Sequence, residues 1–149
     1  MEPIIPNTPP ETSPKPRILM VEDDGLLAEI LVRKLEHEGF LCEHVTDARQ
    51  AARVIADEPV DLVLLDLVLP GKDGMTFLHE LKQDDRSRNI PVVIISNLVA
   101  KEEVKRGLDA GAVAYLTKAE TTPDAIVRKV RSVLRKRRKP LRILHPKAE

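Results

Sequence analysis

Four places along this chain of 149 residues carry groups able to do phosphoryl chemistry together: the acidic run Glu22-Asp23-Asp24, Asp66, the hydroxyl of Ser96 and the ammonium of Lys118. Carboxylates brought into one crevice repel one another unless a cation joins them. An all-oxygen donor set without His or Cys suits Mg²⁺, a hard ion that keeps several waters in an octahedral shell. Such an ion offsets the carboxylates and an incoming phosphoryl group alike. Asp66 can then attack phosphorus and form an acyl phosphate. The charge spread over the transferring oxygens needs fixed donors, and Lys118 and Ser96 are of the right kind.

These groups matter only if the chain gathers them, and the flanking patterns say that it does. Ile18-Leu19-Met20-Val21 is a short apolar strand that ends in the acidic run. Leu27, Ile30, Leu31 and Leu35 then recur at helical spacing, and Gly39 supplies a C-terminal stop. Residues 41–45 form a more polar strand, as suits a sheet edge, and residues 47–57 a small amphipathic helix through Ala48, Ala51, Ala52 and Ile55. Pro59 precedes a third strand at 61–65, which runs straight into Asp66. A turn at 69–74 leads to a helix carrying Phe77, Leu78 and Leu81. The β-branched run at 90–95 is the clearest buried parallel strand, and Ser96 ends it. A helix at 100–109 stops at Ala110-Gly111, a fifth strand covers 113–117, and Lys118 follows. The last helix has Thr122 as N-cap, Pro123 in its first turn, and a stripe of Ile126, Val127, Val130, Val133 and Leu134.

Five strand–helix pairs in strict alternation imply a parallel sheet with helices on both faces. Ligands of such sheets bind outside the carboxyl ends of the strands. Four of the five strand ends carry complementary groups, which solvated decoration does not explain.

The runs Arg17-Ile-Leu-Met-Val-Glu-Asp-Asp24, Asp61-Leu-Val-Leu-Leu-Asp-Leu-Val-Leu-Pro-Gly-Lys-Asp-Gly74, Ile90-Pro-Val-Val-Ile-Ile-Ser96 and Gly111-Ala-Val-Ala-Tyr-Leu-Thr-Lys118 resemble response-regulator receiver domains of two-component signalling. The likeness covers about residues 17–136, with every motif in order. It implies a doubly wound, flavodoxin-like α/β fold with strand order 2-1-3-4-5. It also implies that Asp66 is the phosphoacceptor, that Asp23 binds Mg²⁺ directly and Glu22 through water, and that the backbone carbonyl of Val68 is the remaining protein ligand. Ser96 becomes the hydroxyl that moves onto the phosphoryl group, Lys118 its ion-pair partner, and Tyr115 the aromatic whose rotamer reports the movement. A histidine kinase or phosphotransfer protein would supply the phosphoryl group. The output would be a changed protein–protein surface on strands four and five, facing an unknown downstream target and offering a route to a homodimer. On this reading the chain promotes only its own phosphorylation and dephosphorylation and is not an enzyme with a released product.

Three departures from the commonest pattern of that family involve four positions. Ala119 stands after Lys118 where Pro is usual, often across a cis bond, so the peptide is either trans with a rerouted loop or strained. Asn97 follows Ser96 in place of a smaller residue, and either crowds the phosphoryl group or offers it an amide. Val68 and Leu98, two residues after Asp66 and Ser96, flank the route of attacking water in this family, and apolar side chains there imply a long-lived acyl phosphate.

Each residue also has a plainer reading. Asp24 directly precedes a helix and is read as its N-cap. Ser96 alone would be a strand-end hydroxyl, Lys118 a surface lysine, and Tyr115 an amphipathic strand residue. His37, His44, His79 and His145 show no metal-ligand spacing and are read as surface or edge residues. A phosphatase of the haloacid dehalogenase type also uses an Asp nucleophile with Mg²⁺, but it wants a second Asp where Val68 stands.

The length suits one domain of about 100–200 residues. A single cysteine, Cys42, excludes a disulfide framework, and no basic-then-apolar leader or membrane-length apolar run is present, so a cytoplasmic setting is expected. Residues 1–16 hold six of the twelve prolines and are read as a disordered arm. The net charge of zero hides an asymmetry: residues 17–127 carry 13 Lys/Arg against 21 Asp/Glu, and residues 128–149 carry 10 against 1. Residues 137–149 are read as a basic tail. The run Arg135-Lys136-Arg137-Arg138-Lys139 is a solvated helix end, a contact for nucleic acid or anionic lipid, or a contact for an acidic partner. The alternative to a phosphorylation switch is thus a phosphorylation-independent binding module acting through that tail. Few aromatics and few residues after Pro140 argue against sequence-specific nucleic-acid binding.

Overall fold

The computed structural model describes residues 14–144, with side chains up to residue 137. The arm expected at 1–16 therefore lies largely outside the described residues, as do His145 and the last of the basic tail.

Strands and helices alternate without exception: β1 (Arg17–Val21), α1 (Gly25–His37), β2 (Leu41–Val45), α2 (Ala48–Asp57), β3 (Leu62–Leu65), α3 (Gly74–Gln83), β4 (Val92–Ser96), α4 (Lys101–Asp109), β5 (Ala114–Thr117) and α5 (Pro123–Leu144), with a 3₁₀ turn at Lys118–Glu120. All pairings are parallel, in the order β2-β1-β3-β4-β5, which is the flavodoxin-like α/β arrangement. The order reverses between β1 and β3, and the crevice outside their carboxyl ends is where such sheets bind ligands.

Alternation along each strand divides the core in two. Ile18, Met20, Leu62, Leu64, Val93 and Ile95 face α1 and α5. Leu19, Val21, Val63, Leu65, Val92 and Ile94 face α2 and α3. Every residue of β3 is buried, which is why that strand reads as unbroken apolar sequence. Burying each such side chain contributes roughly 1.5–3 kcal/mol, and this holds the strand ends rigid.

Helix ends follow the expected chemistry. Asp24 caps α1, its Oδ1 accepting from the N–H groups of Leu26 and Leu27 at 3.1 Å, as the plainer reading of that residue held. The chain leaves α1 through Gly39 at φ 101°, in the left-handed region that glycine enters at no steric cost. Thr122 caps α5, accepting from Ala125 N–H at 3.1 Å. α5 continues through Leu144, so the basic segment from 137 to 144 is helical.

Three of the strands begin later than the sequence expectation. β4 begins at Val92 because Pro91 has no N–H to give, and it extends to Ser96, which pairs with Thr117. Asp61 stands just ahead of β3, its Oδ2 accepting from Arg17 N–H at 2.8 Å and its carbonyl from Arg137 at 2.9 Å. β5 starts at Ala114.

Candidate functional site

Glu22 and Asp23 follow β1, Asp66 follows β3, Ser96 ends β4 and Lys118 follows β5, so the sheet delivers four of its carboxyl ends to one crevice. Glu22, Asp23 and Asp66 each offer a carboxylate oxygen, and these oxygens all lie within 4.8 Å of one another. Glu22 and Asp66 are buried while Asp23 is exposed, so the cluster has a closed inner side and an open mouth.

The Lys118 ammonium bridges the two buried acids, 2.9 Å from Glu22 Oε1 and 3.1 Å from Asp66 Oδ2. Burial holds the Glu22 carboxyl above its usual range, although Lys118 and the Asp24 N–H both pull it down. For Lys118, burial opposes the charged form, but the two carboxylates outweigh it and raise the ammonium above its ordinary value. One cation among three carboxylates leaves the crevice with excess negative charge. The oxygen-only donor set therefore fits a hard divalent cation.

Gly74 explains how Asp66 and α3 fit together. A Cβ there would strike the Asp66 carbonyl oxygen and come within 2.6 Å of the Leu67 Cα. Its N–H donates to the Leu67 carbonyl at 2.9 Å, closing the loop after β3 tightly. Asp73 caps α3, accepting from Thr76 N–H at 2.8 Å. Val68, in the same loop, is 59 % exposed, and its N–H donates to Asp66 Oδ1 at 3.2 Å.

Ser96 is fully buried, and its Oγ accepts from Leu98 N–H at 3.1 Å. Tyr115 donates its hydroxyl to the Leu98 carbonyl at 2.6 Å. Both sides of the Leu98 backbone are thus held by residues singled out in the sequence. Gly107 of α4 lets the tyrosine ring lie inward, since a Cβ there would sit 2.7 Å from Ile94 Cδ1 and 3.1 Å from the ring. Asn97 is exposed. The described backbone contains no cis peptide, so the Lys118–Ala119 bond is trans and the chain enters its 3₁₀ turn directly.

Two contributors escaped the sequence reading. His44, taken for an ordinary edge residue, places Nε2 2.6 Å from the Glu22 carbonyl oxygen. Gly107 carried no turn signal in the middle of its helix. Both act across elements, and only the β1–β2 register, which sets Met20 opposite His44, brings the histidine to the strand end. Elsewhere, a cavity of ≈ 210 Å³ at the starts of β1 and β2, lined among others by Arg17, Glu36 and Cys42, holds no comparable chemistry. Burial pushes the Cys42 thiol up to about 12, so it stays protonated and inert.

Comparison with known proteins gives a consistent result. The family model of the response regulator receiver domain matches residues 18–131. The chain is 36% identical over 120 residues to the phosphate regulon transcriptional regulatory protein PhoB of Escherichia coli, a match covering 80% of this chain and 52% of PhoB. It spans about half the length of the curated relatives it matches. Among solved structures, the CheY-like response regulator receiver domain protein from Methanospirillum hungatei superposes with a TM-score of 0.79 at 27% identity, over 86% of this chain and 99% of that one. The activated N-terminal receiver domain of Klebsiella pneumoniae RstA gives 0.74 at 33% identity, over 80% and 98%.

Proposed function

The chain belongs to the response regulator receiver domain family, and from that premise we propose that it is a phosphorylation switch whose Asp66 takes a phosphoryl group from the phosphohistidine of a histidine kinase or phosphotransfer protein. The observation that carries this reading is the Lys118 bridge between the buried Glu22 and Asp66, at 2.9 and 3.1 Å, beside the exposed Asp23. A lysine shared by two acids at the ends of separate parallel strands has no use in packing the core.

Glu22, Asp23, Asp66 and the carbonyl of Val68 would hold Mg²⁺. When bound, the ion offsets negative charge on the carboxylates and on the phosphoryl oxygens. One Asp66 oxygen forms the new bond to phosphorus as the P–N bond to the donor imidazole breaks, its electron pair returning to nitrogen. With the other ring nitrogen of the phosphohistidine protonated, the products are an aspartyl phosphate and a neutral imidazole, and no further proton has to move. Lys118, held at rest by the two carboxylates, is placed to pair with a phosphoryl oxygen instead. The Ser96 oxygen accepts from the Leu98 N–H, and its hydroxyl can donate its proton to a phosphoryl oxygen.

The same contacts give the site an output. If Ser96 turns onto the phosphoryl group it releases the Leu98 N–H, and Leu98 is the residue whose carbonyl holds Tyr115. Chemistry at Asp66 thereby reaches the surface of β4, β5 and α4, where a downstream protein or a second copy would bind. No helix among the described residues is long and apolar enough to cross a membrane, and we place the switch in the cytoplasm.

The test is intact mass after incubation with Mg²⁺ and acetyl phosphate, with Asp66→Asn alongside. One added phosphoryl group in the wild type only, absent when Mg²⁺ is chelated beforehand, supports the switch. An adduct that persists in Asp66→Asn, or none in the wild type even with a cognate kinase, overturns it.

A further inference from the structure

The acidic pair is held more firmly at Glu22 than at Asp23. The Glu22 N–H donates to the Val45 carbonyl at 3.0 Å, one carboxylate oxygen accepts from Asp24 N–H at 3.0 Å, and the other meets Lys118 at 2.9 Å. Its carbonyl is the remaining group. The β1–β2 ladder stops at Val21 and Val45, and Thr46 turns its N–H to the Gln50 side chain at 2.9 Å. Among the described residues no backbone N–H reaches the Glu22 carbonyl, and His44 Nε2 takes that place at 2.6 Å. A carbonyl only accepts, so the ring nitrogen carries the proton.

That carbonyl shares a rigid peptide plane with the nitrogen and Cα of Asp23. Fixing the direction of one fixes where the other leaves the strand. Asp23 makes none of the hydrogen bonds found among the described residues, and it is exposed. Its placement therefore rests on its neighbours, and the side chain that orients its peptide comes from the edge strand.

Resting on the reading of Glu22, Asp23 and Asp66 as a Mg²⁺ site, we propose that His44 is a positioning residue for that site. It acts through the Glu22–Asp23 peptide and touches neither the ion nor the phosphoryl group. Its role is donation of one hydrogen bond, so an uncharged donor of similar reach should replace it, and an apolar side chain of similar size should not.

The experiment is a calorimetric titration of the metal-free 149-residue protein with Mg²⁺, comparing wild type, His44→Gln and His44→Leu. Heteronuclear NOE of the Asp23 amide is measured on the same metal-free samples. Groups that orient metal ligands are worth 10–100-fold in affinity, and for one acting through the backbone we expect about the low end, roughly tenfold weaker binding in His44→Leu. His44→Gln should stay within about twofold of wild type, and the Asp23 amide should gain mobility in His44→Leu alone. Should His44→Leu not fold, His44→Thr, too short to reach the carbonyl, takes its place. Equal affinity in the wild type and the apolar or short variant overturns the role of His44 while leaving the Mg²⁺ site intact. Weak binding in His44→Gln as well assigns the effect to ring packing, which overturns it too. Absence of any Mg²⁺ binding by the wild type instead brings down the functional reading beneath it.

Discussion

Lys118 is the residue on which the resting electrostatics of the site depend. Its side chain is 17% exposed, against 5% for Glu22 and 6% for Asp66. Deleting it strands two buried carboxylates, a loss softened at Glu22 because burial already raises its carboxyl above the usual range. We expect Lys118→Ala to lower unfolding free energy in chelator by roughly 1–3 kcal/mol, with part of the loss restored by Mg²⁺. Urea unfolding with and without the ion reads this, and a loss that Mg²⁺ leaves untouched would argue against a shared cation site. Val68 and Leu98 belong to the same scale. They are 59% and 38% exposed, and both stand in loops that lead out of the crevice. Their apolar side chains offer no hydrogen bond to an attacking water, so we expect an aspartyl phosphate that outlasts those of fast chemotaxis-type regulators. Loss of the phosphoryl group from the wild type within seconds, followed by mass, would refute this.

Helices set the position of the loops, and two of them make separate predictions. The Thr76 N–H holds the Asp73 carboxyl below its usual range, so the cap on α3 stabilises the fold above the ordinary aspartate range. That contribution fades as pH falls toward the lowered folded-state value. Asp73→Ala should therefore cost about 1 kcal/mol at neutral pH and progressively less in acid. Urea midpoints of the two proteins down a pH series test the sign, and a penalty constant with pH contradicts it. At α4, two effects oppose each other in Gly107→Ala. Helix propensity favours alanine by about 1 kcal/mol, while overpacking against buried Ile94 and the Tyr115 ring costs about 1–3 kcal/mol. The clash should win, turning Tyr115 outward and releasing the Leu98 carbonyl. Tyr115 is the single tyrosine of a chain without tryptophan, so its fluorescence reports the event directly. A spectrum unchanged in emission and quenching would show that the ring stays inward.

Across the whole molecule, the sheet couples the acidic crevice to both halves of the core, because β1 and β3 place residues on both faces before leading into Glu22 and Asp66. A cation that binds this crevice has no such site in the unfolded chain. Mg²⁺ at about 100 times its Kd should therefore raise global stability by about 2.7 kcal/mol. Chelator should reverse this, and Asp23→Asn or Asp66→Asn should abolish it. Thermal unfolding across a Mg²⁺ series decides the matter, and a midpoint insensitive to the ion would exclude a folded-state site. Charge is also segregated at this scale. Of the basic groups beyond residue 127, Arg131 pairs with Glu38 at 3.0 Å and Arg137 with the Asp61 carbonyl at 2.9 Å, so part of the basic helix is tied to the acidic body.

The alternation of strands and helices was legible in the sequence because burial on both faces forces unbroken apolar runs such as Leu62-Val63-Leu64-Leu65, and helix caps such as Asp24 and Thr122 act over three residues. Asp66, Ser96 and Lys118 were legible too, since a polar group at the end of such a run has to sit at a strand end. The contacts made across elements were not. That His44 faces the Glu22 carbonyl follows from the β1–β2 register, that Gly107 admits the Tyr115 ring follows from how closely α4 lies on the sheet, and that Lys118 joins two acids follows from β5 and β3 flanking β4. Periodicity records which face of an element is buried, whereas register and interhelical distance are set by packing among residues far apart in the chain, and only the tertiary structure decides them.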